Sequence, residues 1–358
     1  MQQTKKVLVA MSGGVDSSVC AHLLKSQGYD CHGMMMKLFA DEDAVICKNS
    51  EEDAAQQKNA ADVAKRVGIP FSIYDFSKEF QKEVIDYFVH TYESGKTPNP
   101  CVQCNRTIKF GKLMEAGKSL GCTHIATGHY ARIVKGENGR WLLLRAKDDT
   151  KDQSYVLWSM TQEQLAHTLF PLGEFSKSEI REIAEANGFC NAKQRDSQDI
   201  CFVPDGDYVS LIARYTKKDF PKGSFTDKNG NLIGRHNGSI RYTIGQRKGL
   251  GVAFGKPTYV ISKNADTNTV VLGDNADLFR RELTACDLNF IAIEKLEAPM
   301  RLQAKIRYQA PPAWGFATQL DNNRLSFVFD EPQRAITAGQ SLVLYDGETV
   351  VGGGIIEN

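Results

Sequence analysis

Residues 6–18, KVLVAMSGGVDSS, run a short apolar segment from Lys6 to Met11 into a glycine turn, Ser12 to Ser18. VCAHLLKSQG follows, with apolar residues at Val19, Cys20, Leu23 and Leu24 and a helix-ending Gly28. The pattern predicts a strand, a tight turn and a helix. In such a turn the backbone N–H groups and the helix dipole can hold an anion. Gly13 and Gly14 let the main chain come close to a phosphate, and Ser12, Ser17 and Ser18 add hydroxyl donors. The turn is not a Walker A loop, because no Gly-Lys-Ser/Thr follows, and it lacks the third glycine of a dinucleotide fingerprint.

Outward from this unit, CHGMMMKLF (31–39) and FSIYDF (71–76) read as further strands separated by a helical stretch that ends at Gly68. Ser77 opens a helix with Phe80, Val84 and Phe88 on one face, and HIATGHYAR reads as a fourth strand from His124. Alternation of this kind predicts an α/β fold with a doubly wound parallel sheet, its ligand at the carboxyl ends of the strands. From about Phe202 closely spaced glycines break the chain into short segments. Beyond Asp277 only strand patterns occur: LQAKIRY, WGFATQL, LSFVF, SLVLYDG and VVGGGII. The expected layout is a catalytic α/β domain (1–203), a small basic linker domain (204–277) and a C-terminal β-barrel (278–358).

The 358 residues are 42% apolar and 24% charged, an ordinary composition for a soluble globular protein. No apolar run reaches membrane-spanning length, and MQQTKKVLVAMSGG leads into a strand instead of a signal peptide. A cytoplasmic location without membrane attachment is therefore expected. The net charge of +1 conceals an asymmetry: residues 211–263 hold 11 Lys/Arg against 2 Asp/Glu. That excess is the footprint of a surface for a polyanion, or of a solvated basic face.

Nine cysteines, an odd number without an export signal, do not read as a disulfide framework. In a reducing compartment they point to metal binding or thiol chemistry. In TPNPCVQCNRTIKF (97–110), Asn99-Pro100 predicts a rigid turn, and Cys104 stands just before Asn105, a good N-cap. A helix start at that point, with Arg106, Lys109 and Lys112 in the next turns, would stabilise a thiolate at Cys104. Cys201, in RDSQDICFV (195–203), reads on its own as a buried small hydrophobe. So do Cys20, Cys31, Cys47, Cys122, Cys190 and Cys286.

SGGVDSS resembles the PP-loop of the ATP pyrophosphatase superfamily, whose adenine nucleotide alpha hydrolase-like fold cleaves ATP between the α and β phosphates. With TPNPCVQCNRTIKF, ATGHYAR, KDQSYVLW, DSQDICFV, YTIGQRKGLG, KIRYQ and GQSLVLYDGETVVGGGII in order, the chain resembles the tRNA-specific 2-thiouridylase family along nearly its whole length. The resemblance implies 2-thiolation of the wobble uridine of tRNAs of the Lys, Glu and Gln type. ATP adenylates the C2 oxygen, and sulfur arrives from a cysteine persulfide. It implies an ATP site at Ala10, Met11, Ser12, Gly13, Gly14, Val15, Asp16, Ser17, Met36 and Gly128, with Mg2+ placed near Asp16. Cys104 matches the family's nucleophile, and Cys201 its persulfide carrier, which forms a transient disulfide with Cys104. Asn99, Pro100 and Cys101 match the segment that meets the target base. His129, Lys151, Asp152, Gln153, Arg307, Tyr308 and Gln340 match contacts to tRNA. The basic segment would meet tRNA phosphates, and a cysteine desulfurase or sulfur-relay protein would supply the sulfur to a monomeric enzyme. Many members of the family carry aspartate where this chain has Cys101. The substitution creates Cys-x-x-Cys and leaves open an iron–sulfur cluster on Cys101, Cys104 and Cys201.

Overall fold

The computed structural model describes residues 5–40, 50–192, 200–252 and 255–358, with the side chains of 50–52 left aside. The opening segment forms β1 (Lys6–Ala10) and the helix α1 (Val15–Ser26). β2 (Asp30–Lys37), α2 (Ser50–Val67) and β3 (Phe71–Asp75) follow, then β4 (His124–Ala126). With the short strand Thr168–Leu169 they make a five-stranded, wholly parallel sheet in the order β3-β2-β1-β4 and Thr168–Leu169. Both faces of β1 are covered: Leu8 and Ala10 enter one core cluster, Val7 and Val9 the other. Burial on two sides explains why β1 reads as a continuous apolar run without alternation. The chain leaves β1 toward β2 on one side, while β4 pairs on the other. The resulting switch point opens a crevice beyond the carboxyl ends of β1 and β4, where the glycine turn lies.

HIATGHYAR does not form one strand. β4 ends at Ala126, and the chain resumes as β5 (Ala131–Lys135), which pairs with β6 (Trp141–Arg145) in a hairpin. That hairpin leaves the parallel sheet and joins the C-terminal sheet through Thr349↔Leu144 and Val350↔Leu143. In the intervening TGHY, Gly128 packs against the Asp16 backbone and Tyr130 exchanges its backbone hydrogen bonds with Gln153, so the ladder stops there.

The C-terminal strands are Phe279–Phe290, Met300–Lys305, Ala313–Gln319, Arg324–Arg334, Ser341–Asp346 and Thr349–Ile356. They are antiparallel, and pairing of the first with the last closes a six-stranded barrel. Closure removes exposed edges, and Leu302, Phe327, Phe329 and Leu344 fill the interior. Between the α/β domain and the barrel lies a four-stranded sheet of Gly223–Thr226, Leu232–His236, Tyr259–Asn264 and Thr269–Gly273, packed around Phe225, Tyr242 and Val260. A helix preceding it, Tyr208–Thr216, escaped the sequence reading; Val209, Leu211 and Ile212 on its buried face join Phe80, Val84 and Phe88.

The barrel is bolted to the α/β domain by directional bonds. Trp158 donates from Nε1 to Ser341 Oγ at 3.0 Å, and Tyr155 Oη donates to the Ser341 carbonyl at 2.9 Å. Asn289 Nδ2 reaches the carbonyls of Trp158 and Met160. All are buried or half-buried, where a lost partner costs about 1–3 kcal/mol.

Candidate active site

α1 begins without a side-chain cap: Gly14 is its N-cap, so the first-turn N–H groups face the crevice. Gly13 has φ +80°, and a Cβ there would stand 2.4 Å from the Gln56 carbonyl oxygen. A Cβ on Gly128, just past β4, would stand 2.9 Å from the Asp16 backbone. Only glycine fits these two approaches, which wrap main chain around the turn. Ser17 Oγ and Ser18 Oγ both donate to the Gly14 carbonyl, at 3.0 and 2.9 Å, and the Ser12 N–H donates to Ser17 Oγ. Buried Asn191 donates to the Gly13 carbonyl at 2.7 Å and to Ser18 Oγ at 2.9 Å. The cradle is therefore rigid before any ligand arrives. Ala10, Met11, Gly13, Val15 and Ser17 are buried, Ser12 is exposed, and half-buried Met36 stands near the end of β2.

Asp16 carries two partners that sequence reasoning missed. Lys177 Nζ reaches its carboxylate oxygens at 2.7 and 2.8 Å, and Tyr130 Oη donates to it at 2.8 Å. Lys177 is the first residue of Lys177–Ala186, whose N-cap Ser176 forms a capping box with Glu179. That sequence signature announces the helix start but not the destination of the lysine. An uncapped helix N-terminus, a glycine cradle and a buried ammonium suit a polyphosphate, so the residues present fit ATP. Magnesium would be held by Asp16, in exchange for part of its bond with Lys177.

The thiols lie on a different framework. Asn99 caps Pro100–Cys104, accepting from the Val102 N–H at 3.4 Å, and Pro100 takes the first helical position. The helix continues as a π-helical turn, Asn105–Lys112, into Leu113–Ser119. Cys104 is therefore inside a helix and 8% exposed, and the reading of Asn105 as N-cap is corrected. Asn99-Pro100 already supplied the cap and first turn, the cap standing six residues before Asn105. Asn105 is instead buried, donating from Nδ2 to the Val156 carbonyl at 2.9 Å. Without the helix terminus the expected thiolate stabilisation is lost. Burial pushes the Cys104 thiol up to about 11, only partly opposed by Lys109.

Cys201 is brought to the same place. Its thiol is pushed up to about 12, by its depth in the protein and then by the charges of Cys104 and Cys101. Cys201 and Cys101 are nonetheless both exposed residues. Cys101 is likewise raised by its surroundings. Residues 195–199 of the Cys201 motif lie outside the described residues, as does Cys47. Cys20, Cys31 and Cys122 are buried as expected, Cys286 is half-buried, and Cys190 is exposed, its thiol near Asn59 Oδ1. Among the described residues no three His, Cys, Asp or Glu side chains are placed to hold one metal ion.

Of the residues matched to tRNA contacts, several are engaged inside the protein. His129 is buried between Phe110 and Phe170, bonded to Thr127 Oγ1 at 2.7 Å, and burial holds its imidazole well below the usual range. Asp152 accepts from the N–H groups of Ala146 and Ser154. Gln153 and Tyr130 exchange hydrogen bonds at 2.9 Å. Arg307 Nη2 clasps the carbonyls of Ile244 and Ala335 and the hydroxyl of Thr337, tying the linker domain to the barrel. Gln340 Nε2 donates to the carbonyls of Thr97 and Pro98, both at 3.0 Å, and the Thr97 N–H donates to the Ala338 carbonyl. Tyr308, 40% exposed, and half-buried Lys151 keep accessible surface. The basic segment spends part of its charge locally: Lys218, Lys228 and Lys256 pair with Glu93, Asp277 and Asp274.

Three family models match in sequence order: a tRNA methyl transferase HUP domain over residues 5–205, a tRNA methyl transferase PRC-barrel domain over 210–274 and an aminomethyltransferase beta-barrel domain over 280–356. The chain is 51% identical to the tRNA-specific 2-thiouridylase MnmA of Clostridioides difficile (strain 630), over 100% of this chain and 99% of that one. It is 48% identical to the protein of the same name in Clostridium perfringens (strain 13 / Type A), over 99% of each. A solved 4-thiouridine synthetase–RNA complex with bound ATP aligns with 59% of this chain and 52% of its own, at 16% identity and a TM-score of 0.36. No described helix is long and apolar enough to cross a membrane.

Proposed function

Since the chain belongs to the tRNA-specific 2-thiouridylase family and is a tRNA sulfurtransferase, we propose that it thiolates C2 of the wobble uridine in tRNAs of the Lys, Glu and Gln type by persulfide transfer. The observation that supports this reading is that Cys104 packs in one core cluster with Phe202 and Val203, the residues directly after Cys201, which lies 97 positions away in sequence.

Uridine C2=O resists substitution because its oxygen is a poor leaving group. ATP in the glycine cradle converts it to an adenylate, releasing pyrophosphate, with magnesium at Asp16. Cys201 carries sulfur received from a cysteine desulfurase or relay protein. The terminal sulfur of the Cys201 persulfide attacks C2 and AMP leaves. The Cys104 thiolate then attacks Sγ of Cys201, releasing the thiocarbonyl and forming a Cys104–Cys201 disulfide. The two thiols supply the two electrons that reduce the transferred sulfur, and an external thiol reductant resets the pair. Thiols held protonated at rest suit such a cycle, since they resist stray oxidation until substrate is bound. The base must leave the anticodon stack to reach Cys101 and Cys104, while the linker-domain lysines and arginines engage tRNA phosphates.

The test combines tRNA-lysine transcript, ATP, magnesium and a persulfide donor. Thiolated tRNA is expected, and Cys104→Ser and Cys201→Ser should each abolish it; full thiolation by Cys201→Ser would refute the carrier role. A second reading, an iron–sulfur cluster on Cys101, Cys104 and Cys201, has only the Cys-x-x-Cys spacing behind it, since no three such side chains among the described residues are placed to hold one metal ion. Anaerobic purification with iron and sulfide quantitation separates the two: iron-free, fully active protein excludes the cluster.

A further inference from the structure

The sequence offers three cations after Cys104: Arg106, Lys109 and Lys112. The fold disposes of two of them. Arg106 forms a two-pronged ion pair with Asp287 of the barrel, and Lys112 pairs with Glu115 at 2.9 Å on the surface. Lys109 is half-buried and makes no hydrogen bond or ion pair with any described residue. In a regular α-helix the side chains stacked on Cys104 would be Thr107 and Ile108. The i→i+5 bonding of Asn105–Lys112 turns the helix so that Lys109 comes round to the face of Cys104. Its ammonium acts on Cys101, Cys104 and Cys201 alike, and on His129. His129 is kept neutral, so it adds no positive charge of its own.

We propose that Lys109 is the cation of the sulfur site, stabilising the Cys104 thiolate and the Cys201 persulfide anion as sulfur is transferred. A half-buried ammonium that pairs with no described residue is stabilised when an anion forms beside it. With the thiols neutral at rest, that anion appears only when a cysteine ionises or carries sulfur. Attraction at this depth is stronger than in bulk water. The inference deepens the persulfide reading, and its test is arranged so that the two fail separately.

The experiment uses full-length Lys109→Met and Lys109→Arg. Iodoacetamide labelling of Cys104 and Cys201 at pH 8 is followed by mass spectrometry, with melting temperature and tRNA affinity as controls. Single-turnover sulfur transfer from preloaded persulfide to tRNA is measured alongside. Lys109→Met is expected to slow labelling about tenfold, the effect of one unit of pKa, and to slow transfer at least as much. Lys109→Arg should recover most of both rates, and tRNA affinity should hold. Wild-type labelling rates in Lys109→Met would overturn the proposal. So would a Lys109→Arg protein as slow as Lys109→Met, since the loss would then come from packing and not from charge. Labelling needs neither tRNA nor persulfide, so its outcome is independent of the Cys201→Ser assay on which the carrier role depends.

Discussion

The phosphate cradle and the thiol site differ in how they are made. The cradle comes from one contiguous turn, stiffened by Ser17, Ser18 and Asn191 and faced by Lys177 and Tyr130. The thiol site draws Cys104 from a helix, Cys201 from a distant loop, and its bracing from the barrel through Gln340. The first is ready for its ligand; the second holds its reactive groups in their unreactive, protonated form. Binding ATP can thus be prepared in advance, whereas in the proposed cycle the sulfur nucleophile is silent until substrate arrives.

Four changes would break or sharpen that contrast. The largest effect is expected from Gly13→Val. Its φ of +80° and the 2.4 Å approach to Gln56 forbid a branched side chain, and a strain near ~3 kcal/mol would cut tRNA-dependent AMP formation about a hundredfold or more. Cysteine labelling should be untouched; a parallel loss there would show the two sites are not separable. Next, labelling of Cys104 and Cys201 in the free protein should rise about tenfold per pH unit beyond pH 8, as expected for thiols raised above the ordinary ~8.5. Ionisation is complete only above pH 11 to 12. A plateau by pH 8 would mean the thiols are already poised as thiolates. Gln340→Ala removes two hydrogen bonds that hold Thr97 and Pro98. At about 1 kcal/mol each, kcat for thiolation should fall roughly thirtyfold with tRNA affinity retained. Weaker tRNA binding at unchanged kcat would instead make Gln340 a direct contact.

The smallest effect concerns Lys263, half-buried in the linker-domain strand Tyr259–Asn264, with Nζ 5.9 Å from the Tyr92 ring centroid and 3.0 Å from the Tyr242 carbonyl. Burial lowers its pKa from 10.5 to about 8. Below pH 8 both folded and unfolded chains carry the proton, so the cost of the buried charge is fully present. Between 8 and 10.5 the folded protein sheds it first, and stability rises with pH. Lys263→Met should therefore be more stable than wild type at pH 7, by ~1 kcal/mol after loss of the Tyr242 bond, with the gain gone by about pH 9 and reversed toward pH 10.5 in urea titrations.

Legibility followed the range of the interactions. KVLVAMSGGVDSS declared strand, turn and helix because apolar run, glycines and helical spacing all lie within a few residues. In TPNPCVQCNRTIKF two caps competed, Asn99 before Pro100 and Asn105 after Cys104. The one backed by proline at the first helical position prevailed. The π-helical turn that orients Lys109 has no sequence period of its own, so three equivalent cations could not be told apart. HIATGHYAR failed as a single strand because its second half pairs with a hairpin partner and the barrel.

Order along the chain, the glycine cradle and the separation into an α/β half and a strand-only half were determined by local composition and periodicity. Tertiary structure alone decided which of the three cations pairs with no described residue, that Lys177 and Tyr130 meet Asp16, and that Gln340 holds Thr97 and Pro98. Burial and long-range packing set those relations: a buried thiol, a redirected arginine and a half-buried lysine are products of neighbours brought from across the chain.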